Sequence, residues 1–499
     1  MGGGFNRLMG AGVVGPGPDG GEEAPGGWTW RFGTALSATY TDNANLTDPT
    51  KRGQEEIFLQ VLPWVTVKGD GARLKARGYY GPALYTGTIG DTQASVANFL
   101  DLGATAEVMS DTVFVDGYAK ASMANLNAAG SGAGLGYDSY LYDSGNITQV
   151  STWQLSPHTI HHLGRTADLF TRVGVGATVY SDASSNNATN LLLEAGLRSG
   201  ADFQRMPWSL IYRGTRYDYD DDTSSFGDST TYEQVVGRTS YVISPNWRAD
   251  ASLGYSSGDY ATRQGSETSG VLWSLGGTWT PNPRTLLSLG YGGQYYGNNA
   301  YLNFRYSHKR TNWFAAYTTQ LTTVQQEFLQ SQTFIASDTT GLPVLDPVTG
   351  VPLKVTQVTP TLTNQAYVLS SFLTGMNWSG ERTRAGFDIS WNQRSYEVSN
   401  NDQSDWGVGA RVARDLSPTL IATARAAWTN YDSGVTGLTP VGGSADNVDR
   451  WQAGLLLTKR LGEQTSVSAA YDYRHNLYVT ADGYSGDENR VSLIFNHTF

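Results

Sequence analysis

The chain closes on Asn489-Arg490-Val491-Ser492-Leu493-Ile494-Phe495-Asn496-His497-Thr498-Phe499. Val491, Leu493, Phe495 and the terminal Phe499 share one parity, and a period of two places them on one face of an extended strand. The same period begins at Trp28. Trp28, Trp30, Phe32, Leu36, Ala38 and Tyr40 alternate there with Thr29, Arg31, Gly33, Ser37 and Thr39. It recurs in Val113-Val115-Gly117-Ala119, Thr171-Val173-Val175-Ala177-Val179 and Trp247-Ala249-Ala251-Leu253-Tyr255. Val271-Trp273-Leu275-Gly277-Trp279, Phe387-Ile389-Trp391 and Leu420-Ala422-Ala424-Ala426-Trp428 repeat it again. No stretch shows a 3.6-residue period bounded by helix caps.

Composition narrows what such a chain can be. Only 16% of the residues are charged, against about 25% in a typical soluble domain. There is no cysteine, which excludes a disulfide framework, a thiolate metal site and a cysteine nucleophile. The net charge of -11 argues against nucleic acid as a partner, because phosphate neutralisation needs surplus Lys and Arg. The longest apolar runs, such as Leu191-Leu192-Leu193, fall far short of the roughly 18 residues of a membrane helix. A membrane-spanning β-barrel remains, since its strands hide their apolar residues in alternation.

The connections between strands alternate in length. Short turns are read at Ser110-Asp111, Ser244-Pro245-Asn246, Pro281-Asn282-Pro283, Ser379-Gly380-Glu381, Leu416-Ser417-Pro418 and Gly462-Glu463-Gln464. Between them lie polar segments at 124–146, 181–190, 218–230, 256–268, 432–447 and 477–488, and a long one at 323–365 with Pro343, Pro347, Pro352 and Pro360. Tight turns at one end and long loops at the other are the layout of an outer-membrane barrel, with the turns periplasmic. Counting strands around the turns gives roughly 22, within a range of about 18 to 24. The expected fold is therefore an all-β, antiparallel, up-and-down transmembrane barrel over residues 28–499.

Residues 1–27 are Gly/Pro-rich without periodicity and read as a flexible lead-in. They lack the apolar stretch of a signal peptide, and Asn6 stands where a myristoylation motif needs Ser or Thr. A strand already starting near residue 28 leaves no room for a folded plug domain ahead of the barrel.

Tyr and Trp gather near strand ends: Trp28, Trp30, Tyr40, Tyr79, Tyr80, Tyr85, Tyr255, Trp279, Tyr291, Tyr295, Tyr296, Trp378, Trp428, Tyr431, Tyr471 and Tyr473. Most are expected in interfacial girdles, with a minority available to stack sugar rings. The parity opposite the apolar face gives the interior. It collects Arg73, Lys75, Arg77, Arg172, Arg198, Arg248, Arg305, Arg411, Arg425 and Arg474, with Arg31, Lys120, Arg205, Arg213, Arg238, Arg284, Arg384, Arg394, Arg450 and Arg490 beside them. The acids assigned to that face are fewer: Glu107, Asp116, Glu194, Asp250, Asp388 and Asp472. An acidic chain would thus enclose a basic channel, and walls of one sign concentrate counter-ions, here anions. A general porin, with arginines facing acids on an inward-folded loop, is the competing reading.

Other motifs carry less. Asp218-Tyr219-Asp220-Asp221-Asp222 alternates carboxylates, but Thr223 replaces the glycine of an EF-hand turn. His158, His161 and His162 have no carboxylate near in sequence and read as polar turn residues rather than metal ligands. Gly130-Ser131-Gly132-Ala133-Gly134-Leu135-Gly136 lacks the strand–helix context of a nucleotide loop. No cofactor, metal or catalytic set is expected, and the chain is not read as an enzyme.

The closing strand, with Val491, Leu493, Phe495 and Phe499, resembles the signal by which Gram-negative outer-membrane proteins are recognised by their assembly machinery. The segment 41–123 resembles the outer-membrane β-barrel family associated with PEP-CTERM/exosortase exopolysaccharide loci. The residues that carry this are Thr41-Asp42-Asn43-Ala44-Asn45-Leu46, Leu62-Pro63-Trp64-Val65-Thr66-Val67, Gly69-Asp70-Gly71-Ala72-Arg73 and Asp111-Thr112-Val113-Phe114-Val115-Asp116-Gly117. The resemblance implies a bacterial outer-membrane location and a setting of polysaccharide production. The missing signal peptide departs from it. The expected function is a passive conduit for an anionic solute or polymer, with exopolysaccharide the favoured cargo and the loop 323–365 or a separate partner narrowing the lumen. An anion-preferring diffusion porin and a structural or adhesive surface barrel are the alternatives. Expected partners are outer-membrane lipid and lipopolysaccharide, the assembly machinery, an anionic polysaccharide and periplasmic export components.

Overall fold

The structure is a computed structural model and describes residues 27–44, 54–88, 94–125, 147–181, 187–220, 228–262, 267–330, 365–398, 402–432, 447–479 and 484–499. Strands account for nearly all of them. The first eight are β1 (Trp28–Thr41), β2 (Glu56–Asp70), β3 (Leu74–Gly87), β4 (Ser95–Met109), β5 (Val113–Asn125), β6 (Ile147–Leu163), β7 (Ala167–Tyr180) and β8 (Ala188–Ser199). There follow β9 (Trp208–Tyr219), β10 (Ser229–Ser244), β11 (Trp247–Asp259), β12 (Ser269–Asn282), β13 (Thr285–Gln294), β14 (Gly297–His308) and β15 (Thr311–Thr322). A short helix, α1 (Val324–Gln330), precedes β16 (Tyr367–Ser379), β17 (Thr383–Tyr396) and β18 (Asp402–Ser417). The sheet ends with β19 (Leu420–Asp432), β20 (Asn447–Arg460), β21 (Thr465–Val479) and β22 (Tyr484–Thr498).

Each strand pairs antiparallel with its neighbours in sequence, and β22 returns to β1 with Leu36 opposite Phe495. The result is one closed 22-stranded barrel, the architecture expected from the alternation and the even strand count. Closure leaves no free edge, so each strand has a hydrogen-bonded neighbour on both sides.

The two faces separate as the period-2 reading requires. Leu36, Leu253, Leu275, Val271, Leu455 and Leu493 are exposed on the outer face. Their sequence neighbours Ala35, Leu272, Ile494 and Ser492 are buried on the inner one. An exposed apolar belt on a closed barrel is a lipid-facing surface. Trp28 and Trp30 stack on each other there, as do Trp247 and Trp279 across β11 and β12. Tyr79 and Tyr431, expected in a girdle, instead face inward and are buried. Their parity matches that of Thr66 and Thr429, which line the interior.

Turns gather at one end. Additional short ones occur at 71–73, 164–166 and 309–310, where flanking residues left no Pro or Asn signature to read. The opposite end carries most of the longer connections, although only 397–401 and 480–483 join β17–β18 and β21–β22 there, and the turn end holds 200–207 between β8 and β9. Gln294 and Gly297 join β13 to β14 through only Tyr295 and Tyr296. Gly297 holds φ +130 at that turn, a conformation open to glycine and few others.

The lead-in 1–26, most of the long loops, the glycine run 130–136, Asp221-Asp222 and residues 331–364 lie outside the described residues. The first turn of the 323–365 segment is described, and it folds inward: Thr322, Thr323, Val324 and Gln325 are all buried. Val324 packs with Tyr367, Leu369 and Tyr396, all on the lumen face of the wall.

Candidate functional site

The lumen wall is the site, and its ladders decide which side chains meet. Around β17–β21 the inner face carries Arg384, Arg411 and Arg425 with Asp388, Asp415 and Asp472. Arg384 donates to Asp415 at 3.0 Å and Arg425 to Asp472 at 2.7 Å. Arg411 and Arg425 are direct cross-strand partners, and like charges placed so are unfavourable. They part by reaching in opposite directions, Arg411 donating to Asn377 Oδ1 on β16 at 2.8 Å while Arg425 turns to β21. Glycines make this possible. A Cβ on Gly454 would lie 2.2 Å from Asp472 Oδ1 and 2.9 Å from Arg425 Nε, so the pair lies flat over that residue.

A second band crosses β4–β9. Thr105 Oγ1 donates to Asp116 at 2.7 Å, and Arg172 reaches the same carboxylate at 2.9 Å. His158 stands 3.1 Å from it, stacked on Phe114 with the Phe170 ring tilted against its other side. Glu194 then lies 3.6 Å from Arg172 and 3.5 Å from Arg213. The band is an alternating chain of acid and base along consecutive strands. A third band on β10–β12 centres on Asp250, which accepts from Arg248 at 3.0 Å and from Ser240 and Thr278 hydroxyls.

Toward the loop end the wall closes. Arg394 is 1% exposed and donates to Asp405 at 2.7 Å and to Glu327 of α1 at 3.0 Å. Tyr367 Oη also donates to Glu327. Glu488, fully buried, accepts from Thr41 Oγ1 at 2.6 Å and faces Arg474 at 3.4 Å and Arg490 at 3.7 Å. Tyr217, Tyr219, Tyr260, Tyr396 and Tyr431 are buried in the same half of the barrel. Below them Lys75, Arg77 and Arg411 remain exposed to the lumen.

The residues assigned to the interior from sequence therefore meet different fates. Lys75, Arg77, Arg172, Arg198, Arg248, Arg305, Arg411 and Arg425 occupy inward register positions on their strands. Arg73 does not: it lies in the turn before β3, below the wall. Arg474 faces inward but is buried against Glu488 rather than lining an open path. Arg394, Arg450 and Arg490 are likewise buried. The inner face holds more acids than the sequence pattern assigns to it. Glu56, Asp101, Asp168, Asp405, Asp415 and Glu488 share the inner face, and Glu327 reaches it from a loop. Most sit near strand ends, where flanking polar residues blur the period. Carboxylates also approach the histidines from other segments, with His162 2.6 Å from Asp168. Still, no three metal-ligating groups converge among the described residues. Of the acidic run, Asp218 pairs with Arg216 at 2.7 Å.

Val491, Leu493 and Phe495 face lipid on β22, and Phe499 is 71% exposed beyond it. Phe499 N–H donates to Phe32 O at 2.8 Å, and its ring lies edge-on to His497. The terminal residue is thus tied to the first strand at the turn end.

No family model matches the chain, and no curated protein matches it either. Solved structures do match in fold. The FrpB iron transporter from Neisseria meningitidis (F5-1 variant, apoprotein form) aligns over 94% of this chain and 81% of its own, with 10% identity and a TM-score of 0.50. The siderophore receptor PirA from Acinetobacter baumannii aligns over 94% and 80%, with 9% identity and a TM-score of 0.50. The chain is an outer-membrane β-barrel. At such identity the likeness is one of fold, and this barrel's cargo has to be argued from its own wall.

Proposed function

We propose that this barrel is a passive channel of the bacterial outer membrane for a polar, hydroxyl-rich solute, with an exopolysaccharide as the cargo its wall suits best. The observation that carries the reading is the alternation of arginines and carboxylates around the lumen, interleaved with hydroxyls such as Thr105, Ser240, Ser252, Ser274 and Thr278. Paired charges leave a weak net field, which attracts small anions less than a purely basic wall would. They still offer closely spaced donors and acceptors, which suit a ligand covered in hydroxyl groups. The likeness of segment 41–123 to barrels of polysaccharide loci agrees with this cargo.

A second reading is favoured by Lys75, Arg77 and Arg411, which stay exposed in the turn-end half. A channel with that vestibule would act as an anion-preferring porin. Planar-bilayer recording separates the two. The first predicts weak ion selectivity and current block by added acidic or neutral polysaccharide; strong anion selectivity with no polysaccharide block would establish the porin instead. A purified barrel that never conducts and binds no polysaccharide would remove both and leave a structural role.

A further inference from the structure

The wall around the β3–β4 hairpin combines three features. First, the β2–β3 ladder runs from Phe58–Gly87 to Val61–Leu84, stops, and resumes at Val65–Tyr80 in unchanged register. That register sets Pro63 opposite Pro82, so neither strand can donate there. Second, β4 pairs with β5 only as far as Leu100–Ala121, although β5 continues with β6 up to Asn125–Ile147. The freed main chain of Asn98 is met by the Gln149 side chain, which accepts from Asn98 N at 2.8 Å and donates to Asn98 O at 2.9 Å. A side-chain amide stands where a strand would be.

Third, the inner face behind these breaks is apolar. Ala35, Phe58, Leu62, Tyr79, Ala83, Ala97 and Phe99 form one buried cluster on positions that elsewhere carry charges and hydroxyls. Gly81 lies at its centre, where a Cβ would meet Tyr79 Oη at 2.3 Å and Leu62 Cδ2 at 3.3 Å. Directly outside, the lipid-facing surface is hollowed into a groove of about 730 Å³ lined by Leu36, Leu59, Val61, Leu84, Val96 and Phe495. At this depth the surrounding solvent is hydrocarbon, so the groove takes acyl chains.

We infer that the β2–β3 interruption is a lateral hydrocarbon site, where the acyl chain of an amphipathic lipid enters from the outer groove and reaches the apolar cluster on the lumen side. A ladder with no donor at its centre opens without breaking main-chain hydrogen bonds, whereas parting any fully paired strands would strand several in lipid. Once the ladder parts, the chain meets the apolar side chains of this cluster rather than the charged bands that line the wall elsewhere.

The test uses the whole barrel in phosphatidylcholine vesicles with a diazirine-bearing palmitic acid, its labelling sites mapped by mass spectrometry. Labelling of Leu59, Val61 and Leu84 comes from ordinary lipid contact. Labelling of Tyr79 and Phe99 as well, with none at the lumen-facing Leu369, is the expected result. Pro63→Val with Pro82→Val restores two main-chain donors and lets the ladder close across the gap. It should abolish labelling of Tyr79 and Phe99 while Leu59, Val61 and Leu84 stay labelled. Labelling confined to lipid-facing residues in the parent, or inner labelling unchanged in the double variant, overturns the inference. If the double variant fails to fold, the pattern on the unmodified barrel decides alone. Conductance is read separately, so this site and the channel function can fail independently.

Discussion

Arg425 on β19 donates to Asp472 on β21 at 2.7 Å, across the whole width of β20. The residue between them in register is Gly454, and only a residue without a side chain leaves them room to meet. Gly454→Val therefore forces the pair apart. We expect a loss of about 1–3 kcal/mol in barrel stability, the usual range when a polar contact is disrupted. Urea unfolding followed by tryptophan fluorescence reads it. Asp472→Asn, which keeps the shape but removes the charge, should instead raise anion selectivity in bilayer recordings with a smaller stability effect. An unchanged reversal potential in Asp472→Asn would show that this pair does not face the conducting path.

Glu327 holds α1 to the wall through Arg394, which also neutralises the buried Asp405. The two substitutions at this junction should differ in kind. Glu327→Gln loosens the loop from the lumen while Arg394 keeps Asp405 as a partner. Single-channel conductance should rise with folding intact. Arg394→Met leaves Asp405 buried without a counter-charge, which costs about 3–5 kcal/mol. It should lower the folded yield. Equal conductance in Glu327→Gln and the parent would mean that α1 does not narrow the passage.

Leu275 and Ser274 are neighbours near the middle of β12 on opposite faces, Leu275 exposed to lipid and Ser274 bonded to Ser252 at 2.6 Å. Arginine at Leu275 should destabilise the barrel by about 2–4 kcal/mol, as a charge at the bilayer midplane does. Ser274→Arg, opening into water and carboxylates, should cost far less. Folding titrations in lipid vesicles compare them. If both cost the same, the face assignment fails on this strand.

Phe499 projects past the wall and contributes one main-chain bond and one ring contact. Phe499→Ala should slow insertion by the assembly machinery in reconstituted vesicles. The melting temperature of the finished barrel should move little. A large loss of stability with normal insertion would assign Phe499 to packing rather than recognition.

The barrel was legible because its determinants are local. Alternation from Trp28 to Phe499 depends only on which face of a strand meets lipid, and turn signals such as Ser244-Pro245-Asn246 fix where strands end. The inward direction of Arg172 or Arg425 follows from the same parity. Their partners do not. Asp116 serves Arg172 from 56 residues away and Asp472 serves Arg425 from 47, and no local pattern encodes which strand lies two ladders over. Glu327 is further still from any period, since it reaches the wall from a loop.

Sequence alone determined that the chain forms strands, that they close, and which face of each is wet, because lipid and water sort side chains one residue at a time. Tertiary structure decided what the wet face amounts to. Register brings carboxylates from distant strands beside nearly every arginine band, and strand breaks at Pro63 and Pro82 coincide only once β1–β4 are side by side. Charge balance and wall defects are properties of neighbours, and neighbours across a barrel are set by closure rather than by chain order.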